Sequence, residues 1–434
     1  MAKNKINNAS ENKIKYKDIL KDSNYRKLLI STIINRFGDS LDAVGFTWLV
    51  YQVTHSGTWS AIIFAMNILP NVIIQPFTGA LVERLEKKKV IVITHFLRGL
   101  VLIGFLFIYL SGHANGWIMA GFTFVITTIE AFNMPAGNAF LPKIIKKDYL
   151  THAMSLNATM SGTATLVGTA VAGVIIAAAG LKTVMIIDIV TFYVAGTIIF
   201  TIKCSRGDDS AELKNKESYL TTLVEGIKYI RSKKVVVNCC IVAVLLNMLL
   251  VPINALQAPL VSECYNLGSE LLSVIGMAGS IGSILGSIMI PVVSRKLSVK
   301  QTGIIFGLIL GAVVLVLPFG GAFTDIALIK YIYAGLCFII MTFTASLITG
   351  VFNVAFVTYV DPGYLARTSS VILSACTAVM PITSLLVGWA KVRVETGTMI
   401  TCCGILAIVL FVTIILINPE MDMKKGIVNE VKVA

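Results

Sequence analysis

Long apolar runs separated by short charged loops make up most of this chain. Runs of about 20 residues can cross about 30 Å of hydrocarbon as α-helices, at 1.5 Å per residue. Continuous stretches such as IVLFVTIILI near the C-terminus do not fit the alternating pattern of a membrane β-barrel. The pattern predicts twelve transmembrane helices, at residues 28–52, 58–82, 90–111, 117–134, 156–180, 183–202, 235–261, 270–293, 302–320, 327–351, 370–390 and 398–417.

Polar segments divide the predicted spans into two bundles of six. A lysine-rich segment, 1–27, precedes the first bundle, 28–202, and carries no signal-peptide pattern, so we expect a cytoplasmic tail. The second bundle, 235–417, is followed by a polar tail, 418–434. Between the bundles, the linker 203–234 ends in ESYLTTLVEGIKYIRSKK, a pattern typical of an amphipathic surface helix.

The two bundles also repeat each other in sequence. Phe132 and Asn133 recur 220 residues later as Phe352 and Asn353, at the end of the fourth and tenth spans. A second match, LVG, occurs at 166–168 and at 386–388. Matches at equivalent places in each half favour duplication of a six-helix unit, as in transporters built from parallel repeats.

Composition excludes a soluble fold and a nucleic-acid-binding module. Of 434 residues, 56% are hydrophobic and 14% charged, with a mean hydropathy of +0.83, whereas soluble domains are about 45–50% apolar and about 25% charged. The net charge is +13, but the basic residues are spread over loops and tails and do not form one basic module. The remaining partners that we expect are the lipid bilayer, a small molecule and protons.

The distribution of basic residues predicts the orientation in the membrane. Of the 36 Lys and Arg residues, those in loops cluster on the side of the two termini. The loops of the other side hold Lys182, Lys330, Lys391 and Arg393. By the positive-inside rule, both termini lie in the cytoplasm of a multi-pass protein of the plasma or inner membrane.

A glycine, an acid and a basic cluster follow the second predicted span. The segment runs from Gly79 through Glu83 and Arg84 to Lys87 and Lys88. It resembles the loop signature G-x-x-x-D-R-x-G-R-K of the major facilitator superfamily, at the loop where that family carries it. Glu83 replaces the usual Asp, and Glu86 replaces the second Gly. The resemblance implies a fold of two six-helix bundles and a loop latch that holds the halves in one conformation; the alternative is a plain positive-inside anchor.

Three further stretches narrow the resemblance: NRFGDSLDAVGFTWLVYQVTHSG at 35–57, NMPAGNAFLPKIIKKDYLTHAMSLNATMSG at 133–162 and IIDIVTFYVAG at 186–196. They are similar to the branch that holds macrolide efflux proteins and enterobactin-type exporters. That resemblance implies proton-coupled efflux of amphipathic or cationic small molecules by alternating access, by a monomer without a cofactor. The alternatives are an uptake, siderophore-export or lipid-moving permease of the same fold and, from another class, a polytopic membrane enzyme.

Small residues at four-residue spacing mark two of the predicted spans. The fifth carries Ala164, Gly168 and Ala172, and the eighth carries Gly282 and Gly286. Such stripes let helices approach closely. In the family fold the fifth and eighth helices face each other, so the resemblance implies that the stripes form a sliding surface between the halves.

The first predicted span concentrates polar residues inside the membrane. At 100° per residue, Asn35, Asp39 and Asp42 fall within about a 60° arc, and Arg36 can pair with Asp39 at i,i+3. A charge at mid-bilayer costs about 2.5–3.5 kcal/mol, which makes such residues candidates for function. Asp39 and Asp42 are the main candidates for proton coupling, because removing a carboxylate from water disfavours its ionised form.

Three more charged residues lie within other spans: Arg98 in the third, Glu130 in the fourth and Asp188 in the sixth. The acids could bind a cationic substrate or protons, whereas pairing of Arg36 with Asp39, or of Arg98 with Glu130, could be purely structural. Eight cysteines without a CxxC pair and four scattered histidines predict no metal site and no catalytic array.

Overall fold

Every regular element in the described chain is helical. The computed structural model describes residues 19–74, 77–78, 81–82, 85–145, 149–203, 219–323 and 325–422. The main helices are α1 (Ser23–Thr54), α2 (Gly57–Ile73), α3 (Lys87–Leu110), α4 (Gly116–Ile144), α5 (Leu150–Phe200), α6 (Tyr219–Ser232), α7 (Lys234–Ala255), α8 (Ser269–Lys296), α9 (Val299–Val316), α10 (Ala327–Tyr359), α11 (Pro362–Lys391) and α12 (Thr396–Ile417). A short turn (Gln257–Pro259) and a π-helical turn (Leu260–Cys264) follow α7, and a 3-10 turn (Leu317–Gly321) follows α9.

Nine helices in the described ranges are long and apolar enough to cross a membrane. That count takes α5 as one helix, although Gly180, at φ +77°, breaks it. Its 51 residues would extend roughly 75 Å if straight, more than twice the hydrocarbon thickness. The 17-residue α2 is a shorter apolar helix, and the polar residues of α1 lower its hydropathy. The chain is an all-helical, multi-pass membrane protein, and the count of twelve spans stays a prediction.

Local sequence sets several helix ends. Asp22 accepts hydrogen bonds from the backbone N–H groups of Asn24 and Tyr25 at the start of α1, and Ser298 with Gln301 forms a capping box at the start of α9. In contrast, α4 continues through Pro135 to Ile144, beyond the predicted end at 134. Membrane thickness therefore limits the apolar run but not the helix.

The helices alternate in direction between two faces of the molecule. At one face Lys27 and Lys88 donate to the backbone carbonyls of Thr201 and Ile202, and Asn238 donates to that of Glu420. We call this the terminal face, because it holds both ends of the described chain. At the opposite face the rings of Trp59 and Trp117 meet edge to face, with centroids 5.0 Å apart.

The two stripes of small residues pack within the halves, so the sliding surface implied by the resemblance is wrong for them. A Cβ atom built on Gly168 would lie 2.8 Å from the Phe37 carbonyl oxygen of α1. One built on Gly286 would lie 2.6 Å from the Phe343 carbonyl oxygen of α10. The glycines are needed because each of these pairs has its backbones in contact.

The contact between α5 and α8 instead uses a neighbouring face of each helix. The Gly173 N–H donates to the Ser273 hydroxyl at 2.6 Å. A Cβ atom built on Gly276 would lie 2.5 Å from the Thr169 methyl carbon. This contact lies near the Gly180 break and the start of α8, and therefore joins the two halves toward the opposite face.

The predicted amphipathic helix is α6, and it packs on the second half at the terminal face. The Tyr229 hydroxyl donates to Asp361 Oδ2 at 3.0 Å, and its ring stacks on Tyr364 with centroids 4.7 Å apart. Arg367 of α11 pairs with Glu225. Burial raises the pKa of the Tyr229 hydroxyl above its ordinary value. These contacts attach the linker to α11.

Candidate functional site

An ionic cluster joins α1, α3 and α4 in the middle of the first half. Arg98 Nη2 lies 2.9 Å from Asp39 Oδ1 and 4.0 Å from Glu130 Oε2. The Asn35 amide donates to Asp39 Oδ2 at 2.7 Å, and Arg36 Nη1 lies 3.8 Å from the same oxygen. Asp39 therefore pairs mainly with a different helix, and only loosely with its i−3 neighbour.

Burial differs sharply across this cluster. The exposed fraction of the side chain is 8% for Arg98 and 17% for Asp39, against 43% for Glu130 and 52% for Arg36. The Arg98 guanidinium carbon stacks 4.2 Å from the centre of the Phe192 ring, a cation–π contact that is stronger away from water. The cluster thus has one accessible side, formed by Glu130 and Arg36, and one buried side, formed by Arg98.

Asp188 lies behind the cluster, under the backbone of α1. It is 1% exposed, and the Thr191 hydroxyl contacts its Oδ1 at 3.2 Å. A Cβ atom built on Gly38 would lie 2.6 Å from that oxygen. Only a glycine lets α1 pass so close, and as a result α1 separates this carboxylate from the accessible side of the cluster.

Asp42 and His95 complete the titratable groups in this region. Asp42, half-buried on α1, makes no hydrogen bond or ion pair within the described ranges. His95 lies one turn before Arg98, is 4% exposed, and its ring lies against Phe192 with centroids 6.4 Å apart. Its Nδ1 has no hydrogen-bond partner among the described residues. Asp42 thus adds a half-buried polar side chain, and His95 a buried one, near Arg98.

The second half contributes an apolar cavity of about 480 Å³, a volume typical of small-molecule sites. It lies among α7, α9, α10 and α11 toward the terminal face. Asn247 and Asn353 supply amide groups, and no charged residue lines it in the part of the chain that the structure describes. The two halves are therefore complementary, since one is charged and the other apolar.

Four elements meet at Glu263 and close the opposite face. Glu263, in the π-helical turn after α7, accepts from the Tyr51 hydroxyl of α1 at 3.2 Å and from the Thr396 hydroxyl of α12 at 2.7 Å. Lys391 of α11 pairs with it at 3.1 Å. Nearby, the Ser384 hydroxyl donates to the Ala61 carbonyl oxygen of α2 at 2.7 Å. These bonds join the two halves at the face away from the cavity.

The structure describes only part of the predicted loop latch. Gly79, Glu83 and Arg84 lie outside the described residues. Lys87 is buried at the start of α3, and Lys88 Nζ donates to the Ile202 carbonyl oxygen at 2.8 Å. Lys88 is therefore held within the first half, and the latch stays a prediction.

Asn35, Arg36, Asp39, Arg98 and Glu130 thus form one cluster, with Asp188 and Asp42 at its border. The sequence did not single out Glu263, because an acid after a span is ordinary in a loop and its partners come from three other elements. His95 carries no signal of its own in the sequence, because its position beside Arg98 follows only from the packing of α3 on α5.

Comparisons with known proteins agree with this architecture. The family model of the Major Facilitator Superfamily matches residues 28–384. Macrolide efflux protein A of Streptococcus pyogenes is 22% identical over 386 residues, 87% of this chain and 92% of that protein. The multidrug efflux pump Tap of Mycolicibacterium fortuitum is 25% identical over 301 residues, 67% and 72% of the two chains.

A solved structure extends the likeness to the fold. A mutant of the nucleoside transporter NupG superposes with a TM-score of 0.77 at 11% identity, over 91% of this chain and 99% of that one. At this identity the likeness concerns the fold alone. It extends over both halves of the chain.

Proposed function

Because the chain belongs to the major facilitator superfamily, we propose that it is a secondary active transporter that exports amphipathic or cationic small molecules in exchange for protons. The family and its transporter-fold neighbours indicate a transporter rather than an enzyme. We further propose that it works as a monomer in the plasma membrane, with the terminal face in the cytoplasm and without a cofactor.

The ionic cluster is the observation that carries this proposal. Asp39, Asp42, Glu130 and Asp188 lie around one deeply buried cation, Arg98. Uncompensated charge is costly in a low-dielectric interior. Four carboxylates with so little positive charge nearby therefore need protons, a cationic ligand or both. A carboxylate that can bind either a proton or a cationic substrate supports the exchange of protons for substrate.

The cavity and the closed opposite face support alternating access. The bonds at Glu263 and at Ser384 hold the halves together at one face, while the apolar cavity lies toward the other. In the proposed orientation the protein is ready to take a substrate from the cytoplasm. The apolar wall suits the body of an amphipathic molecule, and the accessible carboxylate of Glu130 suits its positive charge.

Export rather than uptake is proposed because two relatives are efflux proteins by name. The test uses everted membrane vesicles, in which an exporter pumps inward. Energised vesicles with this protein should accumulate ethidium or a macrolide and lose the accumulation when a protonophore is added. Accumulation only in right-side-out vesicles would favour an uptake permease, and accumulation that a protonophore does not affect would contradict proton coupling.

A further inference from the structure

Two compartments of the first half are separated by the backbone of α1. On one side, the side chains of Glu130 and Asp39 keep exposed fractions of 43% and 17%. On the other, Asp188 is buried beneath Gly38, with the Thr191 hydroxyl as its described hydrogen-bond partner. A substrate can reach the first compartment only, so the second is suited to a proton.

Arg98 is positioned between these compartments. One of its terminal nitrogens lies 2.9 Å from Asp39, and its guanidinium stacks on Phe192, one helical turn after Asp188. Its charge interacts with those of Asp39, Glu130 and Asp188. Its Nε has no partner among the described residues. A small rotation over the Phe192 ring would therefore bring the guanidinium toward Asp188 without loss of the cation–π contact.

We propose that Arg98 is a counter-ion that moves between the substrate-facing pair, Asp39 and Glu130, and the buried Asp188, which carries the exchanged proton. This inference rests on the proposed function, and it assigns separate residues to the proton and the substrate. When Asp188 is protonated it is neutral, and Arg98 stays on Asp39, as the structure has it. A cationic substrate then meets two carboxylates whose charge is already compensated by two cations, Arg98 and Arg36.

Loss of the Asp188 proton reverses this arrangement. The new carboxylate attracts Arg98, and Asp39 and Glu130 keep Arg36 alone, so one uncompensated negative charge is left to bind a cation. One proton leaves as one monovalent cation binds, so the net charge of the site is unchanged. The α1 backbone at Gly38 covers the Asp188 carboxylate. Water would reach this carboxylate once α1 moves away from it. Exchange is therefore stoichiometric and electroneutral for a monovalent cation.

The other titratable groups near Asp188 enter the same balance. Asp39 and Asp42 face it from α1 as like charges. Arg98 faces it from α3, where His95 lies one turn away, and Glu130 of α4 lies beyond Arg98. Arg98 is thus the cation that can compensate Asp188, and its position sets the affinity of the substrate-facing pair.

The test measures binding of tetraphenylphosphonium to the full-length protein in lipid nanodiscs, with a pH indicator in weak buffer. The parent protein should release about one proton per cation bound, so its affinity should fall about tenfold per pH unit below the midpoint. Asp188→Asn should release no proton and bind with an affinity independent of pH. That affinity should be on the order of tenfold weaker, within the range of ordinary coupling between sites.

Two further variants keep the test decisive. Asp325→Asn changes an exposed aspartate near the opposite face and should behave as the parent does. Thr191→Val removes the hydroxyl that stabilises the Asp188 carboxylate, so the pH midpoint of cation binding should move upward. If Asp188 had a purely structural role, this variant would be less stable but its pH midpoint would be unchanged. If Asp188→Asn does not fold, the pH midpoint of cation binding by Thr191→Val decides whether Asp188 carries the proton.

The possible results separate this inference from the proposed function. A parent protein that binds the cation without proton release would overturn proton coupling and this inference together. A parent that releases a proton, alongside an Asp188→Asn variant that releases it equally, would overturn the assignment to Asp188 alone.

Discussion

The contacts of Glu263 predict that a single neutral substitution opens the opposite face. Glu263→Gln keeps the shape of the side chain but removes its charge. The bond from the Tyr51 hydroxyl of α1 to the carboxylate, at 3.2 Å, crosses between the halves, whereas Lys391 and Thr396 lie in the same half as Glu263 and keep their bonds to it when the face opens. Replacing a hydrogen bond to a charged group by one to a neutral amide should weaken the closed state by about 1 kcal/mol.

A loss of about 1 kcal/mol shifts the ratio of closed to open molecules about fivefold. The shift is measurable at Ala61, which is fully buried where α2 meets α11. In an Ala61→Cys background, the open fraction sets the labelling rate with an impermeant methanethiosulfonate. Mass spectrometry of the labelled peptide distinguishes this position from the native cysteines.

A matched control sits on the same face. Glu395 precedes α12, is exposed, and makes no side-chain capping bond, so Glu395→Gln should leave the labelling rate unchanged. Glu263→Gln should raise the rate about fivefold, given a loss of about 1 kcal/mol. Equal rates in Glu263→Gln and its parent, or an equal rise in Glu395→Gln, would refute the role given to Glu263.

Three further predictions concern the contact between halves, the linker and the cavity. Gly173→Leu forces a side chain into the backbone of α8, so it should raise the same labelling rate, whereas an unchanged rate would contradict the α5–α8 contact. Arg367→Ala removes the ion pair that attaches α6 to α11; amide exchange in α6 should quicken about fivefold for a loss of about 1 kcal/mol, and equal exchange would show that the pair contributes nothing. Cys376 lines the cavity and Cys402 does not, so tetraphenylphosphonium should protect Cys376 from maleimide and leave Cys402 unprotected; equal protection of both, or of neither, would exclude the cavity as the binding space.

Run length and hydropathy predicted the helical fold because each span must satisfy its own backbone hydrogen bonds in lipid. They did not predict where helices end outside the hydrocarbon, as the continuation of α4 through Pro135 shows. They also missed the interruption after α7, where Pro259 is followed by a π-helical turn and the chain no longer continues one straight helix. The resulting turn carries Glu263 to the contact between halves.

The sequence predicted which residues form the site, but it did not predict all of the pairs that they form. Helical periodicity put Asn35 and Asp39 on one face of α1, and they do share a hydrogen bond. The partner of Asp39 is nevertheless Arg98 on α3, because pairing between helices depends on their packing and not on the spacing within either sequence. The contact between Gly38 and Asp188 could not be predicted for the same reason, because a single sequence does not show which helix a glycine faces.

The most direct test of exchange is transport by the purified protein in proteoliposomes, with the membrane potential clamped at zero. When the interior is made more acidic than the medium, protons leave and ethidium should accumulate inside. Asp39→Asn should abolish this accumulation, because Asp39 is central to the substrate-facing pair. Accumulation at the parent rate in Asp39→Asn, or none above protein-free liposomes in the parent, would contradict proton-coupled transport through this cluster.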